Sequence, residues 1–176
     1  MADETLLLKN VRPWGAEQTD MLIEGGRISR IETGQSPAPG VAVEDGAGAI
    51  VLPGLVEAHT HLDKSLWGMG WRIHQAGPSL RDKIDTERRL RAEWDIDPHR
   101  QSTRQALLSL GHGSTVIRSH VDIDTDVKLA GLEGVLRTAD ELAGQIDIET
   151  VAFPQSGLMS RPGTLELMDQ ALAVGA

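Results

Sequence analysis

Hydrophobic and polar positions follow two rhythms along this chain, and the change falls near residue 52. Before it, apolar residues come in short runs parted by turn formers. Thr5 to Val11 reads as a strand. Met21-Leu22-Ile23-Glu24 and Arg27-Ile28-Ser29-Arg30-Ile31 flank Gly25-Gly26, a two-residue hairpin signal. Gln35 to Gly40 is a turn rich in proline and glycine, and Val41-Ala42-Val43 is a weaker strand. So few strands are marginal as an isolated sheet and need further partners.

After residue 52 strands alternate with helices. Leu55 to His61 is a strand entered through Pro53-Gly54. A helix is expected from about Ser79 to Trp94. A second starts at Asp97, a good N-cap with Pro98 at the first helical position, and ends near Gly111-His112-Gly113. Thr115 to Val121 is a strand rich in β-branched residues. Asp126 to about Ala143 is helical, with Val127, Ala130, Leu132, Val135 and Leu136 as its apolar stripe. Ile146 to Phe153 is a third strand and Thr164 to Val174 a further helix. This alternation predicts an α/β fold with a parallel sheet. Three βα units do not close a (β/α)8 barrel, which takes about 250 residues. The chain ends at Ala173-Val174-Gly175-Ala176, a helix C-cap where another strand is due, and is expected to be truncated.

Composition narrows the classes of function. With 40% apolar and 24% charged residues a buried core is expected. A net charge of −9 disfavours nucleic acid and anionic membrane as partners. No apolar run approaches the roughly 20 residues of a bilayer span. Cysteine is absent, which removes disulfides, thiolate ligands and cysteine nucleophiles and fits a cytoplasmic location. Tyrosine is absent and phenylalanine occurs once, so base-stacking platforms are not expected.

His59-Thr60-His61 is the most informative local motif. In a strand, positions i and i+2 share a face, so the two imidazoles project together. Neutral imidazole suits zinc and ferrous iron. The bland alternative is two polar residues near a strand end. Leu66-Trp67-Gly68-Met69-Gly70-Trp71 follows directly, and Trp67 and Trp71 are candidates for an apolar wall over a flat ring. Packing of that loop against neighbouring structure explains the same residues without a substrate.

Other signals read as ordinary. Asp122, Asp124, Asp126 and Glu133 fall at calcium-loop spacing, yet Val127 stands where that loop needs glycine, so capping and solvation explain them better. Arg88-Arg89-Leu90-Arg91, set between Glu87 and Glu93, reads as a solvated helical face. Asp63-Lys64 follows the histidine motif and reads as a surface ion pair, with orienting a ligand or substrate as its alternative. Arg118 shares a face with His120 and either needs a partner in an interior or points outward.

The run Val51-Leu52-Pro53-Gly54-Leu55-Val56-Glu57-Ala58-His59-Thr60-His61-Leu62-Asp63-Lys64-Ser65 resembles the first barrel strand of the amidohydrolase superfamily. Ile117-Arg118-Ser119-His120-Val121-Asp122 and Val151-Ala152-Phe153-Pro154-Gln155-Ser156-Gly157 look like cytosine deaminase and its close relatives. The resemblance implies a partial (β/α)8 barrel over residues 53–176, preceded by the N-terminal strands of a β-sandwich over residues 1–52. It implies one divalent metal ion, zinc or iron, held by His59 and His61, with Gln155 binding the amide edge of a heterocycle. A glutamine amide offers both a donor and an acceptor for that edge; capping of nearby backbone is its alternative. His120 either supports the metal shell from behind or is a satisfied core histidine. The implied reaction is hydrolytic deamination of a cytosine-like ring. Removal of an alkylamine from a triazine and a non-catalytic structural role are the alternatives. The remaining ligands and the acid–base residues of the family are expected beyond Ala176, so this chain alone is expected to be inactive. A homo-oligomer is compatible with the resemblance.

Overall fold

A computed structural model describes residues 5–73 and 75–176 of the chain. It divides into two compact units, Met1–Pro53 and Gly54–Ala176. The first is a five-stranded sheet. Strands β1 (Thr5–Pro13), β2 (Thr19–Glu24), β3 (Arg27–Glu32) and β4 (Ala42–Asp45) run in the order β3-β2-β1-β4, and β5 (Ile50–Val51) pairs with the far end of β1. Gly25 and Gly26 both adopt positive φ, 54° and 75°, which lets a two-residue turn match the strand twist. The hairpin therefore forms where the sequence places it, with Glu24 opposite Arg27. β4 lies one residue later than expected and pairs parallel to β1. Leu7, Val11 and Met21 are buried, whereas β3 buries no residue. Asp20, also buried, accepts backbone N–H bonds from Asn10 (3.0 Å) and Gln35 (2.9 Å) and so ties β2 to the turn after β3.

The second unit is a three-stranded parallel sheet in the order β6 (Leu55–Thr60), β7 (Ser114–Asp122), β8 (Asp147–Phe153). A single 3₁₀ turn, Leu62–Lys64, follows β6. Helices α1 (Leu80–Glu93) and α2 (Pro98–Gly111) lie between β6 and β7, α3 (Ala130–Glu141) between β7 and β8, and α4 (Thr164–Ala173) follows β8. α1 opens on a reciprocal cap between Ser79 and Asp82, and Asp97 caps α2 through the Arg100 N–H at 2.6 Å. Alternation along β7 sends Ile117, Ser119 and Val121 to the helical side, where they are fully buried with Leu62, Ala106, Leu132, Val135 and Ala171. α2 and α3 approach closely at Gly134: a Cβ there would meet Pro98 Cβ at 2.7 Å and the His99 amide nitrogen at 2.8 Å.

α3 starts at Ala130, four residues later than the pattern predicts. Asp124 Oδ1 accepts the N–H groups of Asp126 (2.9 Å) and Val127 (3.3 Å), and Lys128 adopts positive φ. That capped turn occupies the residues assigned to the first helical turn. α1 differs in another way, since Leu90 is its one buried residue. This helix docks through ions instead of an apolar stripe.

Candidate functional site

His59 and His61 leave β6 on one face, and their ring centroids lie 5.7 Å apart. His120, from the matching level of β7, stacks on His59 at 4.1 Å with an interplanar angle of 18°. It also lies 6.0 Å from His61, and Phe153 of β8 sets its edge against both His61 and His120. Three imidazoles thus meet at the C-terminal end of the sheet. Thr60 Oγ1 accepts from the Gln105 amide (2.6 Å) and Ser119 Oγ accepts the Leu62 N–H (3.0 Å), which fix the end of β6 against α2 and β7. The loop beyond is pinned by fully buried Gln101, whose amide donates to the carbonyls of Ser65 (2.6 Å) and Trp67 (3.2 Å).

Burial holds His61 below the ordinary histidine value, with Lys64 adding to the effect and Asp122 opposing it. His120 is lowered as well, by burial first and then by His59 and Arg118. Both rings are therefore neutral at physiological pH and keep a lone pair for a cation. The Nδ1 atoms of both are buried without a hydrogen-bond partner. Neutral imidazoles gathered beside His59 are a donor set that fits a divalent ion of nitrogen-loving character. Among the described residues no set of three or more His, Asp or Glu side chains stands ready to hold a metal, so these rings supply at most part of a shell.

Around the histidines the structure corrects three readings. Asp63 and Lys64 are not a surface pair, because Asp63 is 2% exposed and the Lys64 side chain 12%. Lys64 Nζ reaches Asp122 Oδ2 at 3.0 Å and Glu87 at 3.0 Å. Nor are Arg88 and Arg91 a solvated face. Arg91 bonds Asp122 and Glu87 and lies 3.8 Å from Asp63, while Arg88 bonds Ser156 and Asp124. Asp124 caps its turn as expected but is also buried against Arg88 and Arg161. Burial, and then Asp122, push the Asp63 carboxyl up to about 7 despite Arg91 and Lys64. Arg118 has a plain partner, Glu149 on β8 at 2.7 Å, and both are more than half exposed.

Two small cavities adjoin here. One of about 260 Å³ is lined by His61, Lys64, Leu66, Leu90, Arg91 and Trp94. The other, about 300 Å³, is lined by Leu66, Trp67, Met69, Trp71, Arg72 and Trp94, with the Arg72 guanidinium 5.1 Å from the Trp94 ring centre. Leu66 and Trp94 belong to both. Trp94, at the C-terminal end of α1, gave no local signal in the sequence beyond its size. Gln155 sits in the turn after β8 and lines a different cavity of about 730 Å³ with Ile84, Arg88, Ser156 and Arg161. The structure brings His59, His61 and His120 together, sets the tryptophan loop next to His61, and leaves Gln155 in a compartment of its own.

No family model matches the chain. Over 162 residues it is 33% identical to N-isopropylammelide isopropyl amidohydrolase of Pseudomonas sp. (strain ADP), covering 89% of this chain and 40% of that protein. The crystal structure of N-isopropylammelide isopropylaminohydrolase from Burkholderia multivorans superposes with a TM-score of 0.88 at 49% identity, covering 98% of this chain and 43% of that one. The chain belongs to the amidohydrolase superfamily and matches the N-terminal portion of these enzymes. Its relatives there are of the cytosine deaminase-like kind: 5-methylcytosine deaminase from Klebsiella pneumoniae, liganded with 5-fluorocytosine, superposes with a TM-score of 0.72 at 29% identity over 97% of this chain and 41% of that chain. The chain thus spans less than half the length of the relatives it matches.

Proposed function

We propose that this chain is the N-terminal part of a metal-dependent hydrolase that removes an amine from a ring C–N carbon of a nitrogen heterocycle. The observation that carries the reading is the cluster of three imidazoles at the C-terminal end of the parallel sheet, the end at which barrel enzymes assemble their sites. In this reading β6, β7 and β8 are the first strands of a (β/α)8 barrel, and the N-terminal sheet is part of a β-sandwich. His59 and His61 hold one divalent ion, zinc or iron, which when bound supplies an activated water near neutral pH. His120 keeps the His59 ring in place by stacking. Gln155 presents an amide to the edge of the heterocycle. Trp67 and Trp71 form an apolar wall whose cavity adjoins that of His61. A cytoplasmic location belongs with this reading.

Within that class we favour removal of an alkylamine from a triazine over deamination of cytosine. Identity is 49% to the Burkholderia N-isopropylammelide enzyme and 29% to the 5-methylcytosine deaminase. The apolar lining of Leu66, Trp67, Met69, Trp71 and Trp94 suits an alkyl substituent that cytosine lacks. The test is a panel of N-alkylated hydroxytriazines, cytosines and purines given to the metal-loaded full-length protein. Alkylamine release from the triazines at least tenfold faster than ammonia release from cytosine is the expected result. Faster ammonia release from cytosine restores the deaminase reading, and release of no amine from any ring removes the enzyme reading altogether.

Gln155→Ala bears on the division of labour. Losing a bidentate contact to a ring amide costs about 1–3 kcal/mol, or roughly 5- to 150-fold in kcat/KM. We expect that loss with metal content unchanged, read by steady-state kinetics alongside elemental analysis. Concurrent loss of metal would show that Gln155 serves the ion rather than the ring.

A further inference from the structure

The carboxylate of Asp122 has no part in the reading above, yet it stands directly behind His61. Its Oδ1 lies 3.6 Å from His61 Nδ1, a nitrogen that is buried and has no hydrogen-bond partner. Asp122 is 3% exposed and closes β7, two residues past His120, which stacks on His59. Its other oxygen, Oδ2, accepts from Lys64 Nζ at 3.0 Å and from Arg91, and Lys64 reaches Oδ1 at 3.3 Å. Glu87 in turn takes both cations, at 3.0 Å from Lys64 and 2.7 Å from Arg91. Two cations thus fix the carboxylate, with Oδ1 the oxygen that lies near the imidazole.

The ring's tautomer follows from that placement. A lone pair on Nδ1 would face the carboxylate oxygen and be repelled by it, whereas a proton on Nδ1 would be attracted. The Nδ1–H tautomer puts the free lone pair on Nε2. Metal-bound histidines are generally oriented in this manner by an acceptor behind the ring, and loss of the acceptor typically costs 10–100-fold in metal affinity. At 3.6 Å the contact is longer than a hydrogen bond. Closing it takes a shift of about 0.4 Å.

We infer that Asp122 is a positioning residue for His61: it accepts the Nδ1 proton, selects the tautomer that frees Nε2, and is itself held in place by Lys64 and Arg91. The inference rests on the proposal that His61 holds a metal ion, and the experiment separates the two. In the full-length protein, zinc affinity is measured by competition with a chelator for wild type, Asp122→Asn and Glu87→Gln. Asp122→Asn is expected to bind zinc 10–100-fold more weakly. Glu87→Gln loosens the same two cations without facing His61, and is expected to stay within about twofold of wild type. Long-range proton–nitrogen correlation spectra of 15N-histidine-labelled protein are expected to show the His61 proton on Nδ1 in wild type and a mixture of tautomers in Asp122→Asn. Unchanged affinity in Asp122→Asn, an equal loss in Glu87→Gln, or a wild-type proton on Nε2 overturns the inference. Wild type that binds no zinc removes the metal reading instead, and the tautomer alone then decides the role of Asp122. That wild-type spectrum also decides it should Asp122→Asn fail to fold.

Discussion

His61→Ala in the full-length protein will cost the bound metal and with it about a thousandfold or more in turnover. The ring is one of two imidazoles that β6 presents on a single face, 5.7 Å from the other, and its neutral state is secured by burial. A Lewis acid contributes several kcal/mol at a hydrolytic transition state, and each 1.36 kcal/mol is about tenfold in rate. Stability should change far less, because the His61 side chain is 27% exposed and lies outside the apolar core of Ile117, Leu132 and Val135. Elemental analysis, steady-state kinetics and a thermal melt on one preparation distinguish these effects. Full activity, or full metal content without activity, would remove His61 from the role of ligand.

Arg91→Met will destabilise the full-length protein by about 3 kcal/mol, the scale for removing one partner from a buried ion cluster. Arg91 is the residue of α1 that bonds both Asp122 and Glu87 while also facing Asp63, and the Asp63 and Asp122 side chains are 1% and 3% exposed. Methionine keeps most of the volume and removes the charge, which leaves Lys64 alone against a crowd of carboxylates. Urea titration reads the loss. Adding Asp122→Asn to the same variant should recover part of it, since the carboxylate that Arg91 bonds is then gone. Arg118→Met provides the contrast. Its pair with Glu149 is exposed on both sides and should be worth under about 1 kcal/mol. A loss of that small size in Arg91→Met would mean that α1 is held by something other than its ions.

These two residues mark where the sequence was legible and where it was not. Short-range periodicity announces the Gly25-Gly26 hairpin, the three parallel strands, the Asp97 cap and the shared face of His59 and His61, because each depends on a few neighbouring positions. Arg88, Arg91, Asp63 and Lys64 are another matter. A helix face rich in arginine has the same pattern whether it meets water or buried aspartates, and what decides is the arrival of Asp122 and Asp124 from 31 to 36 residues further on. The start of α3 departs from the hydrophobic pattern for a local reason. The Asp124 side chain competes for the backbone donors of a first helical turn, and a hydrophobic stripe does not reveal that competition. Trp94 and Leu66 share two cavities only after α1 has docked on its ions.

The stacked pair of His59 and His120 has one last consequence. An imidazole lying nearly parallel against a second ring at 4.1 Å has already lost much of its rotational freedom on folding. A cation arriving at that ring meets a donor whose orientation was set by the pairing of β6 with β7, so capture requires little further ordering of the side chain. Selectivity at such a place then depends on how well an ion's preferred bond directions match a fixed frame, more than on how far the frame yields to the ion.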